Sequence, residues 1–90
     1  MHFEWDTAKA ATNVRKHGVS FDEASTVFAD ALSATTHDPD HSRGEARLLT
    51  FGMSSTGRVL VISHTDRGAI VRIISARPAT RHERKIYEET

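Results

Sequence analysis

The sequence predicts an α+β fold in which two N-terminal helices pack on an antiparallel β-sheet meander, followed by a short C-terminal helix. Three observations predict it. Apolar residues recur at helical spacing through the first third, three β-branched runs separated by turn residues fill residues 48–74, and a second capping box, Thr80 with Glu83, opens near residue 80. The chain has 90 residues, enough for one domain over 1–90 and too few for a multidomain enzyme.

The elements follow in order. Asp6 can cap a first helix through Ala8, Ala11, Val14 and His17, and Gly18 supplies the left-handed residue that ends it. Ser20 and Glu23 form a capping box for a second helix, with Val19 and Ala24 at the staple positions and Phe21, Val27, Phe28 and Ala31 on its apolar side. His37-Asp38-Pro39-Asp40-His41-Ser42-Arg43-Gly44 is turn chemistry and reads as a loop. Leu48–Phe51, Val59–Ser63 and Ile70–Ile74 then read as the strands of a meander. With tight hairpins, Phe51 lies opposite Leu60, Ile62 opposite Ile73, Ser63 opposite Arg72 and Arg47 opposite His64. Leu49, Phe51, Leu60, Ile62, Val71 and Ile73 would then share the helix-covered face, while Thr50, Ser63 and Arg72 take the other. Thr80 and Glu83 cap the terminal helix carrying Arg81, Arg84, Lys85, Ile86 and Tyr87.

Composition narrows the function. There is no cysteine, which excludes a disulfide staple, a thiolate metal site and a Cys nucleophile. No apolar run reaches the length of a membrane span and the start lacks the pattern of a signal peptide, so a cytoplasmic protein is expected. The twelve basic and twelve acidic side chains cancel overall but are divided: residues 1–42 hold three basic and seven acidic, residues 43–90 nine and five. Nine of the basic residues are Arg, which points to an anionic ligand for the second half.

Phe3-Glu4-Trp5-Asp6, Lys9, Asn13, Lys16-His17-Gly18-Val19, Phe21, Glu23-Ala24, Val27-Phe28, Arg72-Ile73-Ile74-Ser75-Ala76-Arg77 and Tyr87 together resemble the BrnT family of type II toxin–antitoxin systems. The resemblance implies a RelE-like ribonuclease fold, cleavage of RNA with arrest of translation, and neutralisation by a cognate antitoxin bearing a ribbon-helix-helix DNA-binding domain. Pro78 and His82 depart from it, each standing where another basic residue is expected.

The chemistry the resemblance implies needs no metal and no cofactor. When the 2′-hydroxyl is the nucleophile, a proton acceptor, a proton donor and cations on the phosphorane suffice. Arg72 and Arg77 are the candidate cations, against the plainer reading of a cross-strand surface residue and a solvated strand end. Lys16 and His17 are the candidate acid–base pair, against helix-end charges that favour the dipole or a bond between Asn13 and His17. Arg47, Arg81, Arg84 and Tyr87 are candidate RNA contacts, against a solvated helix face. Trp5 reads as a core residue. The His37–His41 cluster fixes no ligand geometry and is not read as a metal site. Two rival functions remain open: a noncatalytic nucleic-acid and protein binding module, and a degenerate toxin that retains only its antitoxin surface.

Overall fold

A computed structural model describes residues 1–38, 40 and 44–89. Its elements are β1 (His2–Glu4), α1 (Thr7–His17), α2 (Phe21–Thr26) with a following 3₁₀ turn (Val27–Ala29), β2 (Ala34–His37), β3 (Leu48–Met53), β4 (Val59–Arg67), β5 (Ile70–Pro78) and α3 (Arg81–Glu88). The α+β class holds, but the sheet is mixed and has five strands in the order β1-β5-β4-β3-β2. β1 runs parallel to β5, with Glu4 beside Arg72. Neither outer strand was expected. Each is short and carries no alternating apolar pattern, so backbone pairing creates it, without a side-chain signal in the sequence.

Local chemistry fixes the helix starts. The Asp6 carboxylate accepts from the Lys9 N–H at 3.0 Å, and Gly18 leaves α1 at φ 68°. The Ser20 hydroxyl accepts from the Glu23 N–H, yet the Glu23 carboxylate does not close the expected box. It instead takes Arg58 at 2.6 and 3.0 Å together with the hydroxyls of Ser54 and Thr56. This clamp ties α2 to the β3–β4 turn, and Arg58 above all holds the Glu23 carboxyl down at about 2. The second helix is also shorter than expected, passing into the 3₁₀ turn after Thr26. The second expected box, at Thr80 and Glu83, closes in both directions.

The core unites Val19, Phe21, Ala24 and Val27 with Leu60, Ile62, Val71, Ile73 and Ala76, flanked by Phe3, Trp5, Ala10 and Phe28. Trp5 stacks edge-on against Phe21 at 5.9 Å, as a core residue should. α1 does not use the expected stripe: Ala8, Ala11, Val14 and His17 are exposed, while Ala10 and Asn13 face inward. The Asn13 amide donates to the carbonyls of Val19 (2.9 Å) and Ala76 (2.8 Å) and accepts from the Ala76 N–H at 3.1 Å. It thus acts as a one-residue strand on the edge of β5 beyond the reach of β1, and it does not bond His17.

The meander register differs from expectation by one residue at β3. Phe51 pairs with Val61, Thr50 with Ile62 and Gly52 with Leu60, because the β3–β4 connection spans residues 54–58 and is not a tight turn. An odd slip exchanges faces. Thr50 therefore enters the helix side and Leu49 and Phe51 leave it. Gly52 faces the 3₁₀ turn so closely that a Cβ would stand 2.8 Å from Val27 Cγ1. Leu48, not Arg47, lies opposite His64. His64 is buried, sharing hydrogen bonds with Thr50 Oγ1 at 2.7 Å and Asp66 Oδ1 at 2.8 Å, and its ring meets Phe28 edge-on.

Along β4 and β5 the slip is even near the turn, so Val71 and Ile73 keep the core face. Arg72 keeps the open face, paired with Thr65 in place of Ser63. Further along, Ser63 pairs with Ser75 while His64 pairs with Ile73, leaving Ile74 as one extra residue in β5. This β-bulge has a direct consequence. Residues 72 and 77 are an odd number apart and would point to opposite faces of a regular strand; the extra residue restores them to the same one.

Candidate functional site

The open face of β5 is the place where the expected residues converge. Three adjoining concavities meet at the Ile74–Ser75 bulge. The largest, about 480 Å³, is lined by Lys9, Arg47, Arg67 and Arg72 together with Glu45, Asp40, Thr65 and Ile74. A second, about 290 Å³, lies between α1 and β5 and is lined by Lys9, Asn13, Lys16, His17, Ile74 and Ser75. The third joins Arg77 and Arg47 to Asp38, Leu49, Ser63 and Ser75. Ile74 is shared by the first two and Ser75 by the last two, so the three form one trough with the bulge on its floor.

The two arginines of β5 differ in what already holds them. Arg72 faces Glu4 at 3.5 Å, a loose contact from the neighbouring strand. Arg77 is gripped by Glu83 through two parallel bonds, Nη1 to Oε1 at 2.7 Å and Nη2 to Oε2 at 2.9 Å. Arg77 holds the Glu83 carboxyl down at about 2, and Glu83 in turn raises the Arg77 pKa. Arg67 is similarly bridged by Glu45 at 2.7 and 3.1 Å, which keeps that carboxyl below its ordinary range.

Of the expected residues, Lys16, His17, Arg47, Arg72 and Arg77 line the trough. Arg81 and Arg84 stand exposed on α3, and neither lines it. Tyr87 lies against an apolar groove elsewhere, and its hydroxyl donates to Asp30, which raises the phenol pKa. Sequence reasoning missed Lys9 and Arg67 as members of the site. Lys9 was findable, since Lys9, Asn13 and Lys16 follow helical spacing on α1. Arg67 lies in β4 because the tight turn falls at Gly68 and Ala69, whereas the sequence reading put Asp66-Arg67-Gly68 in the turn.

Pro39, His41, Ser42, Arg43 and Thr90 lie outside the described residues, so of the His37–His41 cluster only His37, Asp38 and Asp40 are described. Among the described residues no helix is long and apolar enough to cross a membrane.

Comparison with known proteins places the chain in a family. A search of curated proteins gives no match. The crystal structure of the Brucella abortus ribonuclease toxin BrnT superposes with a TM-score of 0.65 at 23% identity, covering 90% of this chain and 99% of that one, which establishes a shared fold. The model of the family described as "Ribonuclease toxin, BrnT, of type II toxin-antitoxin system" matches residues 5–83, from Trp5 at the head of α1 through β5 to Glu83. With that match spanning both walls of the trough, the chain belongs to the BrnT family of ribonuclease toxins.

Proposed function

We propose that this chain is a metal-independent endoribonuclease, cytoplasmic, that cleaves RNA, arrests translation and is neutralised by a cognate antitoxin with a ribbon-helix-helix domain. One observation carries the reading: the bulge at Ile74 turns Arg72 and Arg77 to one side of a trough whose other wall presents Lys9, Lys16 and His17. A phosphodiester lying over Ser75 would meet cations from both sides. Arg72 stabilises the charge that builds on the phosphorus oxygens, and the imidazole of His17 takes the proton of the attacking 2′-hydroxyl or delivers one to the leaving 5′-oxygen. Arg77 joins the phosphate only when Glu83 yields it. Lys9 and Arg47 steer the backbone on either side, while Arg81, Arg84 and Tyr87 on α3 would touch more distant nucleotides.

The test is expression without antitoxin together with a cleavage assay on the pure protein. Growth should stop, and new RNA ends carrying a 2′,3′-cyclic phosphate should appear with EDTA present. Cleavage that EDTA abolishes and magnesium or zinc restores overturns the metal-independent mechanism. RNA binding with no new ends would instead identify a noncatalytic module, and antitoxin binding without any hold on RNA would identify a degenerate toxin.

A further inference from the structure

One buried polar atom in the trough is left without a partner. Thr65 is 5% exposed, and among the described residues its hydroxyl is the sole buried side-chain polar atom that makes no hydrogen bond. Such an orphan costs stability, so it asks for a reason. Thr65 lies directly across from Arg72 and on the same side of β4 as Arg67, so all three side chains leave the open face together. They share the concavity of about 480 Å³. Glu45 enters it too, and offers Arg67 two oxygens at once, Oε2 to Nε at 2.7 Å and Oε1 to Nη2 at 3.1 Å. Arg67 above all, then the nearby Thr65 hydroxyl and the charge of Arg72, lower the Glu45 pKa, although that hydroxyl completes no hydrogen bond to it. Donors from two strands thus surround a single carboxylate.

We propose that Arg67, Thr65 and Arg72 form a second phosphate subsite, which takes the RNA phosphate next to the scissile one and which Glu45 fills until that phosphate displaces it. The proposal rests on the ribonuclease reading above. A carboxylate and a phosphodiester offer a guanidinium the same pair of oxygens, so the fork that now holds Glu45 suits a phosphate as it stands. A phosphodiester carries further oxygens beyond that pair, and the unused O–H of Thr65 is a donor for one of them. The charge of the concavity favours an anion, with Lys9, Arg47, Arg67 and Arg72 set against Asp40 and Glu45. Exchange is easy as well. Arg67 and Glu45 are 59% and 40% exposed, and an ion pair so open to water is weakly held. A nucleobase is the rival occupant, but it would use the Glu45 carboxylate as an acceptor where a phosphate must expel it. The two differ in sign.

The experiment measures binding of a short 2′-O-methyl RNA, which has no free 2′-hydroxyl to attack, to wild type, Glu45→Gln, Arg67→Ala and Thr65→Val. Companion probes replace one phosphate at a time by a neutral methylphosphonate. Glu45→Gln should tighten the fully charged probe about fivefold, by removing the internal competitor. Arg67→Ala should weaken it about tenfold or more, and Thr65→Val several-fold. All three effects should vanish on the one probe whose neutral linkage falls at the subsite. Thr65→Val should also melt at or above wild type, because it removes an unpaired buried hydroxyl and keeps the shape. A clear drop in its melting temperature overturns the assignment of Thr65. Equal affinities in all four proteins overturn the subsite and leave the ribonuclease reading standing. Weaker binding by Glu45→Gln overturns it in favour of a nucleobase held by the intact pair. Wild type that neither binds the probe nor cleaves unmodified RNA overturns the ribonuclease reading, and this subsite with it.

Discussion

The two halves of β5 make the instructive comparison. Before the bulge, the strand is paired on both sides, by β4 and by β1, and Arg72 stands over the trough with a single loose ion pair among the described residues, to Glu4 at 3.5 Å. After the bulge β1 has ended, the outer edge is satisfied by the Asn13 amide, and Arg77 is locked to Glu83 at 2.7 Å. The same residue type on the same face therefore holds two different states. A guanidinium whose backbone is braced by strands on either side can stay nearly unpaired and available to a phosphate. One near the strand's end has been drafted into the capping box that starts α3.

The contrast predicts unequal losses. Arg72→Ala should reduce RNA cleavage by about 100- to 1,000-fold, the usual consequence of removing one preorganised charge partner, with the melting temperature unchanged. Single-turnover rates and thermal melts check it together. A drop in melting temperature matching the loss of activity would return Arg72 to a structural role and erase the distinction between the halves.

Next in size is Asn13→Ala, which acts on the second half alone. It strands the buried N–H and carbonyl of Ala76 and the carbonyl of Val19, so stability should fall by about 2 to 4 kcal/mol in chemical denaturation. Exchange of the Ala76 amide should rise far more than that of Val71, which lies where β1 pairs. Equal acceleration at both would show that β5 opens as one unit.

Acid should separate the halves more gently. Glu83 has its folded pKa depressed from 4.5 to about 2, so its pairing stabilises the fold fully above about pH 4.5 and is lost as pH falls through the interval to 2. Glu23 behaves likewise in its clamp with Arg58. Glu83→Gln should flatten part of that acid limb in a stability–pH profile and, by releasing Arg77, raise RNA affinity a few-fold at neutral pH. Affinity that instead falls would make the clamped geometry the active one. The smallest effect is expected of Arg81→Ala, outside the trough: a less negative dependence of log affinity on log salt, by about 0.7 for a single strand.

What could be read from the sequence follows the range of the forces involved. The caps at Asp6, Ser20 and Thr80 involve partners three residues away, and all three hydroxyl or carboxylate acceptors are where spacing put them. The clustering of Lys16, His17, Arg72 and Arg77 was legible through the family resemblance, but the reason for it was not. It depends on one extra residue at Ile74, and no residue type announces a bulge. The β3 register failed because the parity of a loop decides it, and Ser54–Arg58 closes through Ser54 N–H to Arg58 and Gly57 N–H to Ser54 as a five-residue connection. Asn13 shows the same limit from the other side. A polar residue on a mostly polar helix gives no hint that its partner is 63 positions away.

That separation bears on how the protein is made. β1 and α1 leave the ribosome first, yet the strand that receives both is the last of the five to be synthesised. Lys16 and His17 therefore wait, without a facing wall, until Arg72 and Arg77 have emerged and β5 has closed against β4. A nascent chain of this topology carries its cations in two disconnected parcels for most of its translation, so the trough proposed here as the RNA site is assembled only when synthesis is almost complete.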